Sequence, residues 1–168
     1  DITKPTTEYG KQKKEVEDKL KNISSNINIL RLSKIYGTQK GDKTLLDEAA
    51  NLLKKNIPVS AAEDQYFCPT LIEDLVQVID KVQNSSLKNK INICSDEIWS
   101  RYNLILNLAG ALNVNKNLVK KIKLYDMAGF KNRPLNTSMT CNKLNSEIKF
   151  KFQSILDINK KIAQNYEI

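Results

Sequence analysis

Histidine is absent from this sequence of 168 residues. Its absence removes Ser-His-Asp and Cys-His catalysis, histidine general bases and most catalytic zinc sites. Acid–base chemistry must therefore come from Tyr, Lys, Asp or Glu, or from a bound cofactor. Cysteine is sparse: Cys68, Cys94 and Cys141 are odd in number, far apart, and form no CxxC pair. This pattern argues against a disulfide framework or a metal site and fits a reducing cytoplasm, the expected location. Long apolar runs are also missing. None approaches the roughly 18–20 residues that span a bilayer. The opening DITKPTTEYG is polar and lacks the apolar centre of a signal peptide. No membrane partner is expected. Arginine occurs only at positions 31, 101 and 133, although the net charge is +8. A lysine-borne charge suits a solvated surface or a phosphorylated small molecule. With little arginine and no reader motif, nucleic acid is not the expected partner.

The length fits one domain large enough to bury a real core, and 40% hydrophobic with 27% charged residues is the composition of an ordinary globular protein. After Pro5, the stretch from Thr6 to about Asn22 reads as a helix capped by Thr6 or Thr7, with Val16 and Leu20 marking one buried face. "INILRL" (27–32) and "INICS" (91–95) read as strands buried on both faces. "IPVSA", "DQYFC" and "KKIKLY" read as shorter strands. Helices are expected at 44–55, at "TLIEDLVQVIDKV" with Thr70 as cap and Glu73 closing a capping box, at "WSRYNLILNLAGAL", around 141–148, and at the C-terminal "ILDINKKIAQNY". Helices alternating with apolar strands indicate an α/β protein. Two doubly buried strands cannot form a stable covered sheet by themselves, so part of the sheet is expected elsewhere.

"TEYGKQKKEVEDKL" sets Tyr9 and Lys13 four residues apart, on one face of a helix. About one Tyr-x-x-x-Lys is expected by chance in such a lysine-rich chain, and a second, Tyr36 with Lys40, lies in a glycine-bounded turn. Only the first sits in a helical register. The chemistry needs that register, because a fixed ammonium one turn away favours the phenolate of a group whose ordinary pKa is about 10. Gly10 inside the helix costs about 1 kcal/mol relative to alanine, a cost that a ligand passing close to the backbone would explain.

"DITKPTTEYGKQKKEVEDKL" resembles the active-site helix of extended short-chain dehydrogenase/reductases. "ILRLSKIYG" is similar to the family's next strand, and "FCPTLIEDLVQVIDKV" to the segment whose helix lies over the substrate site. "NRPLNTSMTCNKL" resembles the dTDP-4-dehydrorhamnose reductase branch. The resemblance implies a Rossmann-like NAD(P)-binding fold with a small α/β substrate-binding region. Residues 1–60 would end the Rossmann-like part, and 61–168 would form mainly the substrate-binding part. Tyr9 would be the catalytic acid and Lys13 its cationic partner. Tyr9, Lys13 and Ser33 would border the cofactor, NADPH or NADH, while Arg133 and Asn136 would meet a sugar-nucleotide substrate. No metal is implied. The family's glycine-rich cofactor turn has no counterpart among Gly10, Gly37, Gly41, Gly110 and Gly129. The sequence therefore reads as a C-terminal half whose N-terminal nucleotide-binding half, roughly 110–130 residues, is absent. Two functions stay open. One is part of a reductase completed by that half or by a second copy. The other is a non-catalytic remnant that binds a sugar nucleotide or a protein.

Overall fold

The computed structural model describes residues 4–24, 26–129 and 133–167. Along the chain, α1 (Glu8–Ile23) leads to β1 (Asn28–Leu32) and the short β2 (Ile35–Tyr36). Helix α2 (Leu45–Lys54) precedes β3 (Val59–Ala62), β4 (Tyr66–Phe67) and β5 (Thr70–Leu71), which runs directly into α3 (Ile72–Gln83). Then come β6 (Asn89–Ile93), β7 (Trp99–Ser100), α4 (Arg101–Ala111), β8 (Val119–Ile122), α5 (Asn142–Glu147) and α6 (Ile155–Asn165).

The strands associate in pairs. β1 runs parallel to β6 from Asn28 against Asn89 to Leu32 against Ile93. β2 with β5 and β3 with β8 are also parallel, while β4 and β7 are antiparallel. Parallel partners far apart in sequence require helical crossovers, which gives the α/β architecture expected from the pattern. Among the described residues no helix is long and apolar enough to cross a membrane.

Two apolar clusters hold these pairs. In the first, Leu46, Ala49, Ala50 and Leu53 form one stripe of α2, because residues three and four apart share a helix face. They pack with Leu104 and Leu108 of α4, Ile158 and Ile162 of α6, and Ala61 of β3. The second joins Ile91 and Ile93 of β6 to Val78 and Val82 of α3 and Leu144 of α5. Each fully buried leucine or isoleucine contributes about 1.5–3 kcal/mol. The Asp47 carboxylate ties the loop before α2 to the end of the chain. It accepts Gly41 N–H at 2.8 Å and Lys43 N–H at 2.9 Å, and the Tyr166 hydroxyl donates to it as well.

Four local expectations change. Val16 and Leu20 do not mark a buried face of α1, because both line the open groove beside β1, Val16 being exposed and Leu20 half-buried, and the residue α1 buries is Glu17. β1 is only half-buried along its length and Leu32 is exposed, because among the described residues β1 pairs with β6 alone and no other strand lies against its far edge. Thr70 is not a helix cap. It is fully buried in β5, where its hydroxyl donates to the Cys68 carbonyl at 3.2 Å and accepts Ser95 N–H at 3.1 Å. Leu71 stands at the cap of α3 without a side-chain bond. Gly10 needs no ligand to explain it. A Cβ there would approach Pro5 Cβ to 3.1 Å and Thr7 Oγ1 to 3.2 Å, and that same Thr7 oxygen caps α1 by accepting Gly10 N–H at 3.1 Å.

Candidate functional site

The first part of the site is a groove of about 610 Å³ between α1 and β1, lined by Pro5, Tyr9, Gly10, Lys13, Val16 and Leu30 among others. The helical register holds Tyr9 and Lys13 together. The Lys13 ammonium stands over the Tyr9 ring, 5.4 Å from its centroid, and Tyr9 is 69% exposed. Tyr36 is different, being buried in β2. Desolvation, with smaller contributions from Asp74, Glu97 and Glu73, drives its phenol far above the ordinary range, so Tyr36 is no proton donor.

One turn beyond Lys13, Glu17 fixes α1 onto the sheet. Its carboxylate accepts Arg31 Nε at 2.8 Å and Nη2 at 2.7 Å, and Lys90 Nζ lies 2.7 Å from Oε2. The arginine fork, then Lys90, outweighs burial and holds the Glu17 carboxyl at about 2, below its usual 4.5.

The second part begins in sequence at Lys34, two residues after the groove-lining Leu32. Here β4 is the organising element. Its β7 partner delivers Arg101, the first residue of α4, beside Gln65. Arg101 N–H donates to the Gln65 carbonyl at 2.9 Å and Nε to Gln65 Oε1 at 2.7 Å. The buried guanidinium also stands 6.0 Å from the centroid of the Phe67 ring. On the other edge of β4, Tyr66 N–H donates to the Leu135 carbonyl at 2.7 Å, and Thr137 N–H to the Tyr66 carbonyl at 2.9 Å. That docking sets Asn136 opposite Tyr66 and places the segment containing Arg133. Asn136 Oδ1 accepts Ser138 N–H at 2.9 Å and the Ser138 hydroxyl at 2.7 Å.

Lys34 completes this second part. Desolvation, then the charges of Arg101 and Arg133, lowers the Lys34 ammonium from its usual range, with Glu48 opposing. Burial and then Arg133 lower Arg101 likewise. Three cations from distant parts of the chain thus feel one another. Such an arrangement favours an anion, since like charges brought together are relieved by a negative ligand. Ser33 lies between the two parts, and its hydroxyl accepts Cys68 N–H at 3.1 Å.

The geometry brings Tyr9 and Lys13 together in one place, and Arg133 and Asn136 together in another. Lys34 and Arg101 were not anticipated as site residues. Arg101 looks in sequence like an ordinary helix start, and only the β4–β7 pairing reveals its surroundings. The available signal was scarcity, because two of three arginines meet here.

The profile of one family, described as the RmlD substrate binding domain, matches residues 1–167. This chain belongs to that family. The RmlD substrate-binding domain also shares its fold with solved structures. A dTDP-4-dehydrorhamnose reductase ortholog from Clostridium acetobutylicum superposes with TM-score 0.83 at 20% identity, over 100% of this chain and 59% of that one. The dTDP-4-dehydrorhamnose reductase from Bacillus anthracis, in complex with NADP, gives 0.80 at 22% identity, over 95% and 55%. The UDP-glucuronic acid 4-epimerase from Bacillus cereus, in complex with UDP-glucuronic acid and NAD, gives 0.79 at 17%, over 99% and 54%. Among curated proteins, no sequence matches this chain significantly. The RmlD substrate-binding domain spans little more than half the length of these structures. The resemblance to sugar-nucleotide reductases and the Rossmann-like α/β fold both stand.

Proposed function

We propose that this RmlD substrate-binding domain is the sugar-nucleotide-binding part of an NAD(P)H-dependent reductase acting on a 4-keto-6-deoxy sugar nucleotide. The mutual electrostatic influence of Lys34, Arg101 and Arg133, with Arg101 held against the Phe67 ring, is the observation that supports it most. A diphosphate carries the negative charge that such a group of cations attracts, and guanidinium groups suit its oxygens. The sugar then extends from there past Ser33 toward the groove of Tyr9 and Lys13, with Asn136 on the opposite side of β4.

Tyr9 and Lys13 suit the nicotinamide-ribose end of a dinucleotide, a hydroxyl and a cation on one open face. The five glycines supply no phosphate loop, so the pyrophosphate end is assigned to residues outside these 168. When bound, the reduced nicotinamide supplies the hydride. Tyr9 gives its phenolic proton to the oxygen of the 4-keto group, which becomes a hydroxyl. Lys13 stabilises the phenolate left behind until solvent reprotonates it. The half-buried β1, with its open edge, is where a complementary nucleotide-binding half or a second copy would pair. In this reading, residues 1–60 finish the Rossmann-like part and 61–168 hold the substrate.

The 69% exposure of Tyr9 favours a second reading for the chain in isolation, a module that binds without turning over. Calorimetric titration with a dTDP-sugar tests the shared binding claim. Arg133→Ala is expected to weaken affinity roughly 10-fold or more, the weight of a charge-assisted hydrogen bond. Tyr9→Phe is expected to leave it unchanged. Equal affinity for Arg133→Ala and the unaltered protein overturns the diphosphate assignment.

A further inference from the structure

The cysteines, scattered in sequence, meet in space. Cys68 follows β4, Cys94 follows β6, and Cys141 stands at the start of α5, all three buried free thiols in one apolar cluster. Cys94 Sγ and Cys141 Sγ are 2.8 Å apart. Ordinary non-bonded contact is about 3.5–4.0 Å even between carbon atoms. The surrounding bonds are asymmetric. Cys94 N–H donates to Cys141 Sγ at 3.1 Å, while the Cys94 thiol is also within 3.3 Å of the Met139 carbonyl. The Cys141 thiol reaches the Cys94 carbonyl at 3.0 Å. Cys68 holds Met139 from the other side, its sulfur 3.5 Å from both the Met139 N and carbonyl oxygen. The side-chain contact with Cys94, helped by the Cys94 N–H and opposed by burial, lowers the Cys141 thiol from its usual range, and the same contact together with burial raises Cys94. The Cys94 N–H aimed at the Cys141 sulfur favours a thiolate there, which makes Cys141 the nucleophilic member and Cys94 the resolving one. Among the described residues no group of three ligating side chains is arranged to hold a metal ion, so the cluster reads as thiol chemistry.

We propose that Cys94 and Cys141 are a modification site, oxidised by a small peroxide to an intramolecular disulfide that tethers residues 133–141 to the end of β6. The Cys141 thiolate attacks one peroxide oxygen, the O–O bond breaks, and a sulfenic acid forms as hydroxide leaves and takes up a proton. Cys94 sulfur then attacks the Cys141 sulfur. The S–O bond breaks, and the departing hydroxide leaves as water with the Cys94 proton. Two thiols lose two electrons in total, and one peroxide becomes two waters. Peroxide is close to water in size and reaches the pair through local opening of the segment. The consequence is spatial, because the tethered segment includes Arg133 and Asn136, and in the reduced protein it is held only non-covalently, by hydrogen bonds to Tyr66 and by the contacts of Met139 and Thr140 with Cys68, Cys94 and Asn92.

The test treats the reduced, folded protein with excess hydrogen peroxide, then denatures and alkylates it for intact mass and peptide mapping. One alkylated thiol instead of three, a loss of two hydrogens, and a linked peptide pair containing Cys94 and Cys141 are expected. Cys68→Ser is expected to leave that product intact, and Cys141→Ser to abolish it. Mapping of the unaltered protein decides the matter even if a serine variant does not fold. Three alkylated thiols after treatment, or a linkage running mainly through Cys68, overturns the proposal. Hydrogen exchange over 133–141 is expected to slow on oxidation, and unchanged exchange in the linked protein refutes the tether.

Discussion

Replacing Glu17 with glutamine perturbs the junction between the Tyr9 helix and the sheet. The Glu17 carboxylate is 12% exposed, while its partners Arg31 and Lys90 are 34% and 30% exposed. Its folded pKa of about 2 against 4.5 corresponds to roughly 3 kcal/mol at about 1.36 kcal/mol per unit. Solvent around the two cations screens part of this, so about 2 kcal/mol is the expected loss at pH 7. The folded pKa is depressed, so the stabilisation is complete above about 4.5 and disappears as pH falls toward about 2. At pH 3 less than half of it remains by the same linkage. Urea unfolding of the unaltered protein and Glu17→Gln, at pH 7 and at pH 3, measures both points. A gap of about 2 kcal/mol that shrinks by more than half in acid is expected. An equal gap at the two pH values, or one under about 0.5 kcal/mol at pH 7, refutes the assignment of this network as the clamp on α1.

Other positions give independent outcomes. Gly10→Ala is expected to yield none of the roughly 1 kcal/mol that alanine normally brings to a helix, because Pro5 and Thr7 crowd the new Cβ. A melting temperature raised by several degrees contradicts that. Asp47→Ala removes the acceptor for Gly41 N–H, Lys43 N–H and the Tyr166 hydroxyl. A loss of about 2–4 kcal/mol in urea unfolding is expected, and a loss below about 1 kcal/mol counts against the tie. Thr70→Val leaves the buried Ser95 N–H without its acceptor and is expected to cost about 1–3 kcal/mol, read by thermal unfolding.

What was legible in sequence followed from short-range physics. The Thr7 cap, the helix holding Tyr9 and Lys13, and the strands around Leu30 and Ile91 rest on neighbours within a few residues. Thr70 shows where that logic stops. Its capping-box pattern with Glu73 marks a helix start, and α3 does begin nearby, but the β2–β5 pairing draws Thr70 into a strand and uses its hydroxyl to bridge Cys68 and Ser95. Gly10 suggested a ligand, whereas Pro5 and the capping oxygen of Thr7 already crowd the place a side chain would take. Arg101 and the Cys94–Cys141 contact were illegible for one shared reason. Each depends on strands and loops far apart in sequence coming into register, and residue type at one position encodes nothing of that.

Whether the cluster of Lys34, Arg101 and Arg133 receives a nucleoside diphosphate is read most directly by titrating dTDP and, separately, thymidine into isotope-labelled protein while following backbone amide shifts. Saturable shifts with dTDP concentrated at Lys34, Tyr66, Phe67, Arg101 and residues 133–137, and far weaker ones with thymidine, are the expected result. Equal responses to the two ligands, or dTDP shifts that fall elsewhere in a folded protein, contradict it.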